Sequence, residues 1–365
     1  MSESEFTGQQ PESEPQGHER AQGHQSGAAN PTASAETEEP EVIIEADIVD
    51  DAENPGVGRS FEEAAEEELS DSDRNSQQQT FPVTGPLEIE VHIGSGRIAI
   101  DLVDEPLATV EIRHEPGSEN PWLQSISSLV EWVNGRFGDQ RAAATEEMAK
   151  AAVDETRIDL IGQRLVVTGP KGRLRMIPLS VVVRAPSGSQ VNVHGGSAGV
   201  TVTGAAGRCE VETGSGDIAL DRADGYATIA TGSGALRLGP MLGGLKARSG
   251  SGEIEVSSVG GPTTVSTGSG DVWFGAVQDN VTAKTGSGDL TIADGACGDI
   301  ELTTSSGEIR VGVRPGTKAM IDLASGSGQA RSELDVHDAP MAGAPTLRLR
   351  GRTSSGNAVV TSAVG

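Results

Sequence analysis

The side chains best placed to do chemistry in this sequence fall in a single column. Counting from the serine of a recurring Gly-Ser-Gly-Asp turn, the third residue is acidic at Asp217, Glu253, Asp271, Asp289 and Glu308. If successive turns stack at the strand spacing, those carboxylates lie about 5 Å apart, and a cation between them would relieve their repulsion. Calcium is the ion such oxygens fit, but a hard cation wants six or more oxygen ligands, and Gly199, Ala235 and Gln329 interrupt the row. The preferred expectation is therefore that each carboxylate accepts hydrogen bonds from turn amides while facing water. No cofactor or metal is assigned.

A second column, Thr213, Thr231, Ser249, Thr267 and Thr285, precedes the same turn. It reads as a ladder of hydrogen-bonded hydroxyls rather than an ice- or sugar-binding plane. The histidines are scattered: His92, His114, His194 and His337 lie far apart in sequence, and His18 and His24 sit near the N-terminus. No serine stands in a nucleophile-elbow context or beside a general base at readable spacing. Cys209 falls in an apolar column and Cys297 in a turn several repeats later, too far apart for a disulfide, and His194 near Cys209 is too few ligands for a metal. No catalytic residue is assigned, and the chain is expected not to be an enzyme.

What must position these columns is a repeat. The turn serine recurs at Ser197, Ser215, Ser233, Ser251, Ser269 and Ser287, always 18 residues apart, then at Ser306, Ser327 and Ser355 after intervals of 19, 21 and 28. With that serine as position one, position four holds Val200, Ile218, Leu236, Ile254, Val272 and Leu290. Position six holds Val202, Leu220, Leu238, Val256, Phe274 and Ile292. Such alternation is a strand with one buried face. A second strand follows at positions thirteen and fifteen, from Cys209 and Val211 to Val281 and Ala283, and an apolar position nine (Ala205, Ala223, Met241, Val259, Val277) would fill a corner. One coil buries too few side chains to offset the ordering of its backbone. Stability must come from stacked neighbours. The expected fold is an all-β, single-chain β-solenoid of about 18 residues and two strands per coil. Its winding should be right-handed, as parallel crossovers are.

Composition agrees. Aromatics make up 2% of the 365 residues, which suits a narrow core filled by Val, Ile, Leu and Ala. The net charge of −27 argues against nucleic-acid binding. Residues 1–80 carry 21 of the 54 acidic side chains against three arginines, with few large apolar groups, so they are expected to be a disordered acidic tail. Its islands, Glu41–Val49 and Phe61–Leu69, are read as apolar residues in a solvated tail, with strand addition to a partner sheet as the alternative. No signal peptide and no apolar run of about 20 residues is seen, so the expected location is cytoplasmic, with unconventional export or surface attachment as the alternative.

The ordered domain is expected over residues 81–365, with Leu87–Ile112 as the first coil. A helical insert interrupts it over about 116–154. Asn120 would cap a first helix with Pro121 at its first position and Trp122, Ile126, Leu129, Val130 and Val133 on one face. A second helix would run from near Asp139 through Val153, and the hairpin would cover an open end or flank of the solenoid. Strands then resume at Ile158–Ile161, Leu165–Thr168 and Met176–Arg184. Beyond Gly326 the register loosens, and that widening, with a longer loop at Asp335–Pro345 ahead of Leu347–Arg350 and Asn357–Thr361, reads as the C-terminal cap.

The Thr-Gly-Ser-Gly-Asp repeat, at Thr213–Ile218, Thr267–Val272 and Thr285–Leu290, resembles a bacterial β-strand-repeat family of unknown function labelled putative adhesin. The resemblance spans roughly residues 82–365. It implies a β-solenoid with a cell-envelope or adhesive role, and it brings no catalytic residues. Left-handed hexapeptide acyltransferases are excluded because positions ten and sixteen hold residues such as Asp224, Gln278, Arg248 and Lys284 where aliphatics are required. Calcium-loaded β-rolls carry acids on both turns of a coil, and here only one turn does. The expectation is a non-enzymatic scaffold whose flat strand faces meet a macromolecular partner, a protein or a cell-envelope component. The alternatives are self-association into a bactofilin-like cytoskeletal scaffold and, more weakly, a calcium-binding β-roll.

Overall fold

The computed structural model describes residues 76–115, 146–334 and 344–363. All 23 strands among them join one hydrogen-bonded sheet. In the exact-period region the sheet is two parallel ladders. One runs through Cys209–Thr213, Ala227–Thr231, Leu245–Ser249, Thr263–Ser269 and Val281–Ser287. The other runs through Ile218–Ala223, Leu236–Met241, Ile254–Val259, Val272–Val277 and Leu290–Gly295.

The register follows from the alternation. Val200 pairs with Ile218, Ile218 with Leu236, Leu236 with Ile254, Ile254 with Val272 and Val272 with Leu290. All six are at most 1% exposed. Slipping one strand by a single residue would turn its buried file into water, so pattern and register lock each other. Phe274 is the largest fully buried side chain among the described residues and sits between Val256 and Ile292 on neighbouring strands. At the first corner of the array the spacing slips between Val202 and Ala205, and Ala206 pairs with Ala223. Ala206, not the expected Ala205, is therefore the residue buried at that corner. One extra residue in a strand is what a bulge accommodates.

At both ends the coils stack out of chain order, which corrects one expectation. The bent strand Glu88–Val103 was expected to form the first coil. It lies instead between two others, pairing with Arg164–Thr168 and Leu179–Pro186 on one side and with Gln190–Ala206 on the other. Likewise the last coil in sequence is not the outermost. Leu347–Ser355 pairs with both Gly298–Ser306 and Ala319–Ser327, and Ala358–Ser362 pairs with both Ile309–Val313 and Ala330–Ser332. Among the described residues the outermost coil at this end is therefore 319–332, whose inward Ile321 and Leu323 are only partly buried.

Beyond the N-terminal coils the pairing turns antiparallel: Ser76–Pro82 lies on Leu107–His114, that strand on Leu179–Pro186, and Arg157–Ile161 on Arg164–Thr168. The strand at Ser76 starts ahead of the boundary expected at residue 81. Met176 ends a short 3-10 turn, Gly172–Met176, so the strand expected from Met176 begins at Leu179. Of the helical insert, a helix over 146–155 is seen, with Ala152 and Val153 in the apolar core and Thr156 Oγ1 donating to the Ala152 carbonyl at 2.8 Å. The first expected helix and both tail islands lie outside the described residues.

Candidate functional site

The acidic column is wired into the frame. Asp217 Oδ1 accepts the Ala235 amide at 2.8 Å, Asp271 Oδ1 the Asp289 amide at 2.8 Å, and Asp289 Oδ1 the Glu308 amide at 2.7 Å. Each of these three carboxylates thus bonds the turn amide of the next coil, because the turns lie one above another with the side chain directed along the stack, whereas Glu308 turns to Arg310 on its own strand. Among the described residues no three His, Cys, Asp or Glu side chains converge as a metal-binding group.

The Thr/Ser column is buried. Thr213 Oγ1 donates to the Ala198 carbonyl at 3.0 Å and Thr231 Oγ1 to the Gly216 carbonyl at 3.1 Å. The same oxygens accept the Gly216 and Gly234 amides at 3.2 and 3.1 Å. Ser249 Oγ likewise accepts the Gly252 amide at 2.8 Å. These hydroxyls join one turn to the next and offer no surface for recognition.

Two histidines meet that sequence separation had kept apart. His92 and His194 are paired in adjacent strands, and their rings stack with centroids 4.9 Å apart and planes 10° from parallel. Glu90 Oε1 lies 2.7 Å from His92 Nε2, and Arg164 Nε donates to Glu90 Oε2 at 3.0 Å. The bond from His92, followed by that from Arg164, holds the Glu90 carboxyl below its ordinary value. The signal missed in sequence was the out-of-order coil, which puts His92 and His194 at one register. Cys209 and Cys297 are both free. Burial, with a smaller contribution from Glu210, pushes the Cys209 thiol up to about 12.

With the turns and inner columns consumed by the frame, the side chains left for solvent are the outward columns of the two ladders. On one face stand Lys246, Arg248 and Lys284 with Thr264, Ser266 and Thr282 between and beside them. On the other face an outward column runs Arg237, Glu255, Trp273, Thr291, Arg310, Val359, Arg331 through successive pairings. Trp273 is 37% exposed. A Cβ at Gly275 would lie 3.1 Å from Trp273 Cη2, so the indole leans over the glycine two residues on.

One strand beyond Trp273 the same face sinks into a cavity of about 540 Å³, lined among others by Thr291, Glu308, Arg310, Val359, Arg331 and Glu333. Arg310 Nη2 donates to Glu308 Oε2 at 2.5 Å, and Arg331 Nη2 lies 3.3 Å from Glu333 Oε1. Val359, between the two guanidinium-bearing strands, is 7% exposed although its register faces outward. The sequence pointed to the strand faces as binding surfaces without singling out this one. A large aromatic at position five, between the buried fourth and sixth positions, was the available signal. The cavity itself had none, since its floor is assembled from coils that are not consecutive in the chain.

Among the described residues no helix is long and apolar enough to cross a membrane. No curated protein matches the chain. Solved structures similar to it include one described as a putative adhesin from Bacteroides fragilis, at 10% identity and a TM-score of 0.37, covering 78% of this chain and 96% of that one. A putative adhesin from Parabacteroides distasonis is 12% identical, with a TM-score of 0.32 and coverage of 79% and 98%. A putative lipid binding protein from the same species is 13% identical, with a TM-score of 0.34 and coverage of 78% and 96%. The family model described as Toastrack DUF4097 matches residues 88–338.

Proposed function

The chain belongs to the Toastrack DUF4097 family, and we propose that it is a non-enzymatic binding scaffold that presents a strand face to a macromolecular partner. The observation that carries this reading is the division of labour between columns. Inward side chains fill the core, and turn hydroxyls and carboxylates bond the next coil. Outward side chains stand in files, repeated at about 4.8 Å on a backbone hydrogen-bonded on both sides. A rigid, preorganised array loses little freedom on binding, which is how a flat surface gains affinity without a deep pocket.

The test uses the full chain, immobilised, against a soluble extract and a solubilised cell-envelope fraction. Two variants each reverse charge on one face: Lys246→Glu with Arg248→Glu and Lys284→Glu, and separately Arg237→Glu with Arg310→Glu. One set should abolish retention of the partner while leaving the unfolding midpoint unchanged. Retention unaffected by both sets would refute the scaffold reading.

A second reading, end-to-end self-association into a bactofilin-like filament, is favoured by the outermost coil, where Ile321 and Leu323 are only partly buried and Met320 is 53% exposed. Sedimentation velocity over a wide concentration range tests it: a growing species supports assembly, and a concentration-independent monomer excludes it.

A further inference from the structure

We propose that the face around Trp273 is a glycan-binding site, in which an uncharged pyranose ring stacks on the indole while its hydroxyls are hydrogen-bonded from the adjoining cavity. This deepens the scaffold reading, and rests on it, by naming the class of ligand. Four observations converge.

The first is the indole itself. A tryptophan on a solvent-facing strand normally turns its ring into a neighbour's apolar surface. Here the neighbour is Gly275, over which Trp273 leans, and more than a third of the residue stays in water. A ring with little side chain beneath it keeps part of its apolar, polarisable surface open, and such surface is what the axial C–H face of a sugar covers. The column beside it stays low, since Ser257 and Ala293 are the residues flanking Gly275 in the adjacent strands of that ladder.

The second is position. Trp273 pairs with Thr291, and Thr291 with Arg310, so the indole stands one strand from the cavity's first lining residue. The indole and the cavity are neighbours on one face, the ring on one strand and the hydrogen-bonding groups on the strands beyond it. The third is size: about 540 Å³ lies within the usual range of small-ligand sites and suits one or two sugar rings.

The fourth is charge. Two guanidinium groups would by themselves attract a polyanion. Each is instead matched by a nearby carboxylate, Arg310 by Glu308 and Arg331 by Glu333. The lining is balanced and rich in both donors and acceptors, which complements a hydroxyl-bearing uncharged ligand and disfavours a sulfated or uronic-acid polymer. Tyr226 also packs over a glycine, Gly244. It stands beside the other ladder, and the cavity is on the face of Trp273.

The experiment titrates the full chain with neutral hexaoses (cello-, malto-, xylo- and chito-oligosaccharides) and with hyaluronan and heparin fragments, read by calorimetry and by tryptophan emission. At least one neutral oligosaccharide should bind. Trp273→Ala should weaken it by about tenfold or more, and Trp273→Phe, which keeps an aromatic plane, should restore most of the loss. Arg331→Ala, on the exposed outermost coil, tests the cavity end without touching the array's core and should also weaken binding. Failure of every neutral glycan at millimolar concentration overturns the site, as does binding of the charged fragments alone. Affinity unchanged in both Trp273→Ala and Arg331→Ala overturns it too. None of these outcomes touches the scaffold reading, which is judged by partner retention in the charge-reversal variants.

Discussion

Replacing Gly252 by alanine should cost far more than replacing Gly199, although both are turn glycines of the same array. A Cβ at Gly252 would lie 1.8 Å from the Gly234 carbonyl oxygen and 2.6 Å from its carbon, whereas at Gly199 the nearest atom, the Asp217 carbonyl oxygen, is 3.9 Å away. Carbon and oxygen in contact need more than about 3 Å, so the coil carrying the added methyl group must shift by about 1.5 Å, roughly a third of the spacing between strands. The obstructing atom is backbone, held by its own ladder, and cannot rotate aside. The bonds bearing on that turn include the Gly252 amide to Ser249 Oγ at 2.8 Å, the Leu236 amide to the Glu253 carbonyl at 2.8 Å and Thr267 Oγ1 to the Gly252 carbonyl at 3.4 Å. Losing two or three such bonds at about 1 kcal/mol each puts the cost near 2–3 kcal/mol, before any disturbance of the core is added. Gly199→Ala should stay within about 0.5 kcal/mol of the parent. Urea unfolding followed by far-ultraviolet circular dichroism reads both values. Equal midpoints for the two variants would refute the claim that stacked turns, and not merely glycine-rich composition, set the repeat.

Leu349, 2% exposed, belongs to the coil inserted between its neighbours, and Leu349→Ala should cost about 2–5 kcal/mol, as a central core truncation does. Ile321→Ala, earlier in the chain but on the outermost coil, should cost under about 1 kcal/mol, and the reverse order in urea midpoints would contradict the stacking. A thiol held at about 12 is almost wholly protonated at pH 8; an aromatic disulfide reagent should therefore label Cys297 in the native protein and Cys209 only after denaturant is added. The Glu90 carboxyl, held below its ordinary 4.5, contributes stability that is present above pH 4.5 and lost as pH falls through its folded value. Glu90→Gln should flatten the acid limb of stability against pH, and an unchanged limb would show that the His92 and Arg164 contacts do not matter.

The middle of the protein was legible because a period of 18 forces residues of one column to be neighbours in space. Val200 to Leu290 form one file, and the same period turns Asp217, Asp271 and Asp289 into bonds between successive turns. Where the period breaks, the inference stops. An interval of 28 between Ser327 and Ser355 locates a further turn but does not say which coil it lies on, since a strand can pair with any open edge of matching alternation. The chain closes its end by sliding 347–362 between two coils already made. Every inward residue of that last segment obeys the same alternation, so nothing local distinguishes insertion from addition. The same holds near the N-terminus, where His92 and His194, 102 residues apart in sequence, share a register only because Glu88–Val103 takes an interior place.

This out-of-order stacking also bears on the candidate site. Arg310 and Arg331 flank Val359 because the coil bearing Val359 lies between theirs. Were the coils stacked in chain order, Arg310 would face Arg331 directly, two like charges at about 5 Å. The inserted strand separates them by a small apolar side chain, while each keeps a carboxylate two residues away along its own chain, Glu308 for Arg310 and Glu333 for Arg331. Chain topology, rather than the repeat itself, is therefore what distinguishes this end of the face from the rest of the solenoid. A permuted chain that stacked its coils in sequence would keep the core columns and lose the site.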